Sequence, residues 1–146
     1  MATARTVLLD SSCAIALCLA DHVNHEAAIA AVGTRRVGLA GHAWFETFSV
    51  LTRLPVPQRR SVQEVTVLLE RNFPASVFAD EQAQRAFSRE LLHLQVAGGA
   101  IYDGLVAMTA RAAKLPLLTN DRRAIATYAQ LGVQLEFFDE AWSADS

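Results

Sequence analysis

The chain has 146 residues, a formal net charge of −2 and a hydrophobic fraction of 52% that alanine inflates. That length fits one domain with a core of its own. No apolar run is long enough to span a bilayer, and the net charge supplies no electrostatic footprint for nucleic acid. Met1 to Arg5 leads straight into an apolar run rather than a signal peptide, so a soluble, cytoplasmic protein is expected.

In chain order, Thr6 to Leu9 reads as a first strand, followed by a helix from Ser12 to Ala20. A second helix spans Asn24 to Val32 and ends at Gly33, and Arg36 to Ala40 is the second strand. His42 to Leu54 is helical until Pro55 and Pro57, because proline cannot continue the hydrogen-bond ladder. Ser61 to Arg71 is an amphipathic helix opened by the capping box of Ser61 and Glu64. Ala75 to Ala79 reads as a short third strand. Asp80 caps a helix to Gln95, with Leu91, Leu92 and Val96 as its late apolar positions and His93 as partly buried packing. Gly98 and Gly99 break the chain before a helix from Ile101 to Ala113. Pro116 to Thr119 is the fourth strand, Arg122 to Gln130 a helix closed by Gly132, and Val133 to Phe138 the fifth strand. The tail from Ala141 to Ser146 is expected to fray. This alternation predicts an α/β fold, a parallel sheet covered by helices.

Four acidic residues stand at the edges of these core-like segments: Asp10 after the first strand, Glu46 among Trp44, Phe45 and Phe48, Asp103 after Tyr102, and Asp121 after Asn120. Asp10 and Asp121 both follow carboxyl ends of strands, where open α/β sheets place their ligand sites. Each has a plain structural alternative. Asp10 and Asp121 suit helix caps, Asp103 suits the positive end of a helix dipole, and Glu46 has His42, Ser49 and Arg53 near its own face. Gathered together, four carboxylates would repel one another unless cations neutralised them. Mg²⁺ and Mn²⁺ take such hard oxygen donors, and they promote hydrolysis at phosphate.

The remaining motifs say less. His22 and His25 are spaced for a zinc pair but have no further ligand nearby, so they read as surface histidines at a helix start. Cys13 and Cys18 lie five apart on one helix and point in different directions, so they read as core thiols. The basic residues are nearly all arginine, and the pairs Arg35-Arg36, Arg59-Arg60 and Arg122-Arg123 are local patches at most.

On these residues the sequence closely resembles the PIN-domain nucleases, and within them the VapC-type toxins. The matching pieces are Val7-Leu8-Leu9-Asp10-Ser11-Ser12, Glu46 in the helix after strand two, Tyr102-Asp103-Gly104-Leu105-Val106-Ala107, and Leu118-Thr119-Asn120-Asp121-Arg122-Arg123. The resemblance covers essentially the whole chain, as one PIN domain over 1–146. It implies a three-layer fold whose central parallel sheet has strand order 3-2-1-4-5, with helices on both faces. It also implies endoribonuclease activity that depends on one or two Mg²⁺ or Mn²⁺ ions and acts on structured RNA, tRNA or rRNA. Asp10, Glu46, Asp103 and Asp121 would be the catalytic and metal-binding carboxylates, the last perhaps through water. Thr119, Ser11 and Ser12 would support the site with hydroxyls, and Arg122 and Arg123 would meet substrate phosphate. The implied partners are a VapB-type antitoxin and a second copy of the chain, with no membrane. One departure is Ala124, where the family often has an aromatic residue.

Other readings fit less well. A phosphatase of the haloacid-dehalogenase type wants an aspartate where Ser12 stands, and a response-regulator receiver wants a lysine after a late strand, whereas Lys114 precedes strand four. A flap-type DNA nuclease would need extra segments to grip branched DNA. The alternative from another class is a PIN fold used only to bind RNA or protein.

Overall fold

A computed structural model describes residues 5–139, so the tail expected to fray lies outside the described residues. The elements are β1 (Thr6–Leu9), α1 (Ser11–Cys18), α2 (His25–Val32), β2 (Arg36–Leu39), α3 (His42–Thr52), α4 (Val62–Asn72), α5 (Glu81–Glu90), α6 (Ala100–Ala113), β3 (Leu117–Thr119), α7 (Ile125–Gln130) and β4 (Leu135–Phe137). Short 3₁₀ turns over Leu91–His93 and Arg122–Ala124 follow α5 and precede α7.

The sheet is parallel, in spatial order β2-β1-β3-β4. Successive residues of β1 point to opposite faces. Val7 and Leu9 pack with Leu51 of α3 and with Val65 and Leu69 of α4, while Leu8 packs with Val106 and Ala107 of α6 and Tyr128 of α7. Helices therefore cover both faces, which is why Val7, Leu8 and Leu9 of the central strand β1 are all apolar and fully buried. β1 leads to β2 on one side and β3 leads to β4 on the other. The switch point falls between β1 and β3, which pair Leu8 with Leu117 and Leu9 with Leu118.

The expected five-stranded sheet is corrected to four. The segment Ala75 to Ala79 lies beside β2 as anticipated, but it forms only a single bridge, Val77 to Ala40. Ala75 N–H donates to Val37 O at 3.1 Å and Val77 N–H to Leu39 O at 3.1 Å. The N–H of Leu39, however, donates to the Ser76 hydroxyl at 2.8 Å, so a side chain stands where the ladder needs a carbonyl. Gly38 permits the close approach: a β carbon there would lie 2.1 Å from the carbonyl carbon of Ala75.

The helix expected to reach Gln95 also stops early. Glu90 is held by Arg111 of α6 at 2.6 and 2.9 Å, and the chain then tightens into the 3₁₀ turn. Three residues per turn lose the phase of the 3.6 repeat. Leu92 is therefore 85% exposed, and His93 is exposed rather than partly buried. Among the described residues no helix is long and apolar enough to cross a membrane.

Candidate active site

Asp10 closes β1 and lies almost wholly buried, 3% exposed, at the carboxyl end of the central strand pair. Its backbone N–H donates to Leu118 O of β3 at 3.3 Å, which fixes its height in the sheet. The carboxylate accepts from four donors. Oδ1 takes the Ser12 hydroxyl at 2.6 Å and the Cys13 N–H at 3.1 Å. Oδ2 takes the Thr119 hydroxyl and, at 2.9 Å, the Tyr128 phenol. Asp10 thus caps α1, as its position after a strand allows, and it also anchors side chains from β3 and α7. Burial pushes its carboxyl above the ordinary aspartate range, while these donors pull the other way.

The other three carboxylates come from separate elements around the same rim. Glu46 is in the second turn of α3, half-buried, with His42 Nε2 at 3.6 Å from Oε1. Its carboxyl is raised first by burial, then by the charges of Asp103 and Asp10, with the Ser11 hydroxyl opposing. Asp103, in the first turn of α6, is raised by burial and by the charges of Asp121 and Asp10, against Arg123. Asp121 caps the 3₁₀ turn by accepting the Arg123 N–H at 3.0 Å, and Thr119 Oγ1 accepts the Asp121 N–H at 3.0 Å. The structure thus brings Asp10, Glu46 and Asp103 within electrostatic reach of one another, and Asp121 within reach of Asp103. Among the described residues, no three His, Cys, Asp or Glu side chains are drawn together closely enough to hold a metal ion as they stand. Carboxylates that repel one another are not expected to close up by themselves.

A family model for the PIN domain matches residues 7–130. The chain belongs to the PIN-domain family. Ribonuclease VapC27 of Mycobacterium tuberculosis is 38% identical over 127 residues, covering 87% of this chain and 93% of that protein. Ribonuclease VapC40 of the same organism is 42% identical over 128 residues, covering 87% and 95%. Among solved structures, FitAB bound to an IR36 DNA fragment superposes with a TM-score of 0.61 at 17% identity, covering 90% of this chain and 94% of that one. FitAcB from Neisseria gonorrhoeae gives 0.60 at 18% identity, covering 92% and 97%. At that identity the two structures speak to the fold alone.

Within this PIN domain the supporting residues fall into two groups. Thr119 and Ser12 belong to the Asp10 network, their hydroxyls 3.4 Å apart, and Ser12 Oγ also accepts the Asn120 N–H at 3.3 Å. Ser11 faces Glu46. The two arginines diverge. Arg122 pairs with Asp139 at 2.6 Å and lies over the Phe137 ring at 5.0 Å, so it is already engaged. Arg123 is 94% exposed in its side chain and 3.5 Å from Asp121. Ala124 is fully buried and packs in the core. His22 accepts the Asn24 N–H through Nδ1, and His25 Nδ1 meets Ala16 O at 2.8 Å, so neither forms a zinc pair. Cys13 is buried and Cys18 partly so, both as free thiols.

Tyr128 is the residue that sequence reasoning missed. It is 1% exposed, and burial together with the Asp10 charge raises its phenol well above the ordinary tyrosine range. A signal existed. Tyr128 shares a helix face with Ala124 and Leu131, and a phenol on a core face needs a polar partner. Only the folding of α7 onto the sheet end reveals that the partner is Asp10.

Proposed function

We propose that this PIN domain is a metal-dependent endoribonuclease, the toxin of a toxin–antitoxin pair, which hydrolyses phosphodiester bonds in structured RNA such as tRNA or rRNA. The observation that carries the reading is the convergence of Asp10, Glu46, Asp103 and Asp121 from four separate elements on the carboxyl rim of the sheet. The similarity to ribonucleases over 87% of the chain supports the same substrate class.

The donor set is carboxylate oxygen, with neither thiolate nor imidazole among the four, and this suits Mg²⁺ or Mn²⁺. Asp10, Glu46 and Asp103 would hold the ion, and Asp121 would complete the pocket. Bound there, it would supply an activated water and charge neutralisation at the phosphate. The chain's own part is positioning. β1 and β3 fix Asp10 and Thr119 side by side, and four donors lock the Asp10 carboxylate in one orientation. In the hydrolysis, the water oxygen bonds to phosphorus as the ribose oxygen leaves, and that oxygen takes up a proton.

An antitoxin and a second copy of the chain are the protein partners of this reading. On the helices α4 and α5, Val65, Leu69 and Phe87 are core. Leu68 instead borders an open cavity of about 600 Å³ along α4, together with Val67, Arg60 and Arg71.

The test is cleavage of total bacterial RNA by the purified chain with Mg²⁺, with EDTA, and with Asp103→Asn. Discrete fragments that require both the metal and Asp103 are expected. Intact RNA under all conditions would overturn the reading.

A further inference from the structure

On α3, His42, Phe45, Glu46 and Ser49 recur at three- and four-residue steps and form one stripe, which Arg53 continues from the C-cap. With Ser11 they line a cavity of about 300 Å³ that opens beside the Glu46 carboxylate. Two features of this cleft bear on what it can bind. Phe45 is 61% exposed although it adjoins the half-buried Glu46, and its ring meets the Phe78 ring only at a tilt of 57° with centroids 6.1 Å apart. Arg53 forms no ion pair among the described residues, and its nearest polar partner is Ser49 Oγ at 3.4 Å. A third feature gives the cleft rigidity: the His42 ring stacks on Tyr102 of α6, with centroids 5.0 Å apart and planes 16° from parallel.

An exposed aromatic ring, the hydroxyls of Ser11 and Ser49, and a guanidinium without an ion pair among the described residues form a combination that suits a nucleotide. Aromatic rings stack on unpaired bases whatever their identity, and arginine takes the phosphate. Arg53 stands at the C-terminal end of the same cavity that Glu46 lines, with its side chain turned back toward Ser49. The bases of a duplex are already stacked and offer no free face.

We propose that this face of α3 is a subsite for one unpaired nucleotide of the RNA strand, its base stacked on Phe45 and its phosphate paired with Arg53. The inference rests on the ribonuclease reading and specifies the form of RNA that the site accepts. An unpaired nucleotide next to the cut would restrict cleavage to loops and single-stranded stretches.

Binding without turnover tests this. A fluorescein-labelled pool of random single-stranded RNA, about twelve nucleotides long, is titrated in EDTA by anisotropy against wild type, Phe45→Leu, Phe45→Trp and Arg53→Ala. Phe45→Leu and Arg53→Ala should each weaken binding about fivefold or more, and Phe45→Trp should retain it. Arg53→Ala should also reduce the salt slope by about 0.7, the share of one single-strand phosphate. Unchanged affinity in Phe45→Leu and Arg53→Ala, or no binding by wild type, overturns the subsite. So does a Phe45→Leu chain that binds RNA normally but sediments as a smaller species, which would assign the face to a second copy. Cleavage of total RNA with Mg²⁺ is run alongside. Cleavage by wild type with no binding defect in the variants would sink the subsite alone, whereas the expected binding pattern without any cleavage would keep the subsite and sink the ribonuclease.

Discussion

Asp10 sits where every acceptor position of its carboxylate is already used: two donors on each oxygen, in a site almost closed to water. A carboxylate offers about four lone-pair directions, so a cation that binds Asp10 must displace a donor or share an oxygen with one. Ser12 is the donor best able to yield, because its hydroxyl also meets Thr119 and Asn120. Tyr128 is not, since its phenol is buried with Asp10 as its partner. Tyr128→Phe removes one donor and leaves the ring packing intact. Urea denaturation of the metal-free protein near neutral pH should show a loss of about 1–3 kcal/mol, the cost of a charged buried acceptor losing a partner. Metal affinity or cleavage should fall about 10- to 100-fold, as for other groups that orient a ligand. A Tyr128→Phe protein with unaltered stability and metal affinity would show that the phenol merely fills space.

At the scale of elements, two contacts decide how the sheet ends. One is the β1–β3 pairing, which brings a strand end carrying Asp10 beside one carrying Thr119. The other is the approach of the segment around Ala75 to β2, which only a glycine at position 38 allows. Gly38→Ala drives a methyl group into backbone that cannot swing aside as a side chain would. A loss of about 3 kcal/mol or more is expected, at or beyond the upper end for overpacked interiors. Gly99→Ala is the matched control. Gly99 caps α6 with φ −62°, and a β carbon there meets nothing within 4 Å, so stability should hold or rise slightly. Comparable losses in the two variants, read by chemical denaturation, would show that Gly38 matters for backbone freedom rather than for close approach.

At the scale of the whole molecule, the acidic rim sets how stability varies with pH. The carboxyls of Asp10, Glu46 and Asp103 are all raised in the folded chain. Between the unfolded values, near 4, and the raised folded ones, the folded state binds more protons than the unfolded state. Stability therefore decreases as pH rises through that window. Thermal melts in EDTA should accordingly show the metal-free protein losing stability from about pH 4 upward, relative to a chain relieved of one charge. Asp103→Asn is that chain, and near neutral pH it should melt higher than wild type. On the metal-dependent reading, Mg²⁺ should raise the wild-type melting temperature in a concentration-dependent way, as a ligand of the folded state alone does, and should do so far less in Asp103→Asn. Equal melting behaviour of the two proteins with and without Mg²⁺ would mean that the four carboxylates do not act as one site.

Local chemistry settled much of this in advance. The strand-and-helix alternation, the Ser61 capping box and the four carboxylates are written in short stretches of chain, because periodicity, caps and strand ends depend on near neighbours. Tertiary structure decided what depends on distant partners. It put Tyr128 onto Asp10 across 118 positions, and it turned Arg122 toward Asp139 while leaving Arg123 in water. It also reduced the segment from Ala75 to Ala79 to a single bridge, because the Ser76 hydroxyl captured a backbone donor of β2. Side-chain capture of a backbone group, and the burial that fixes a carboxylate's proton affinity, arise only when separate elements meet. No spacing along the chain encodes them.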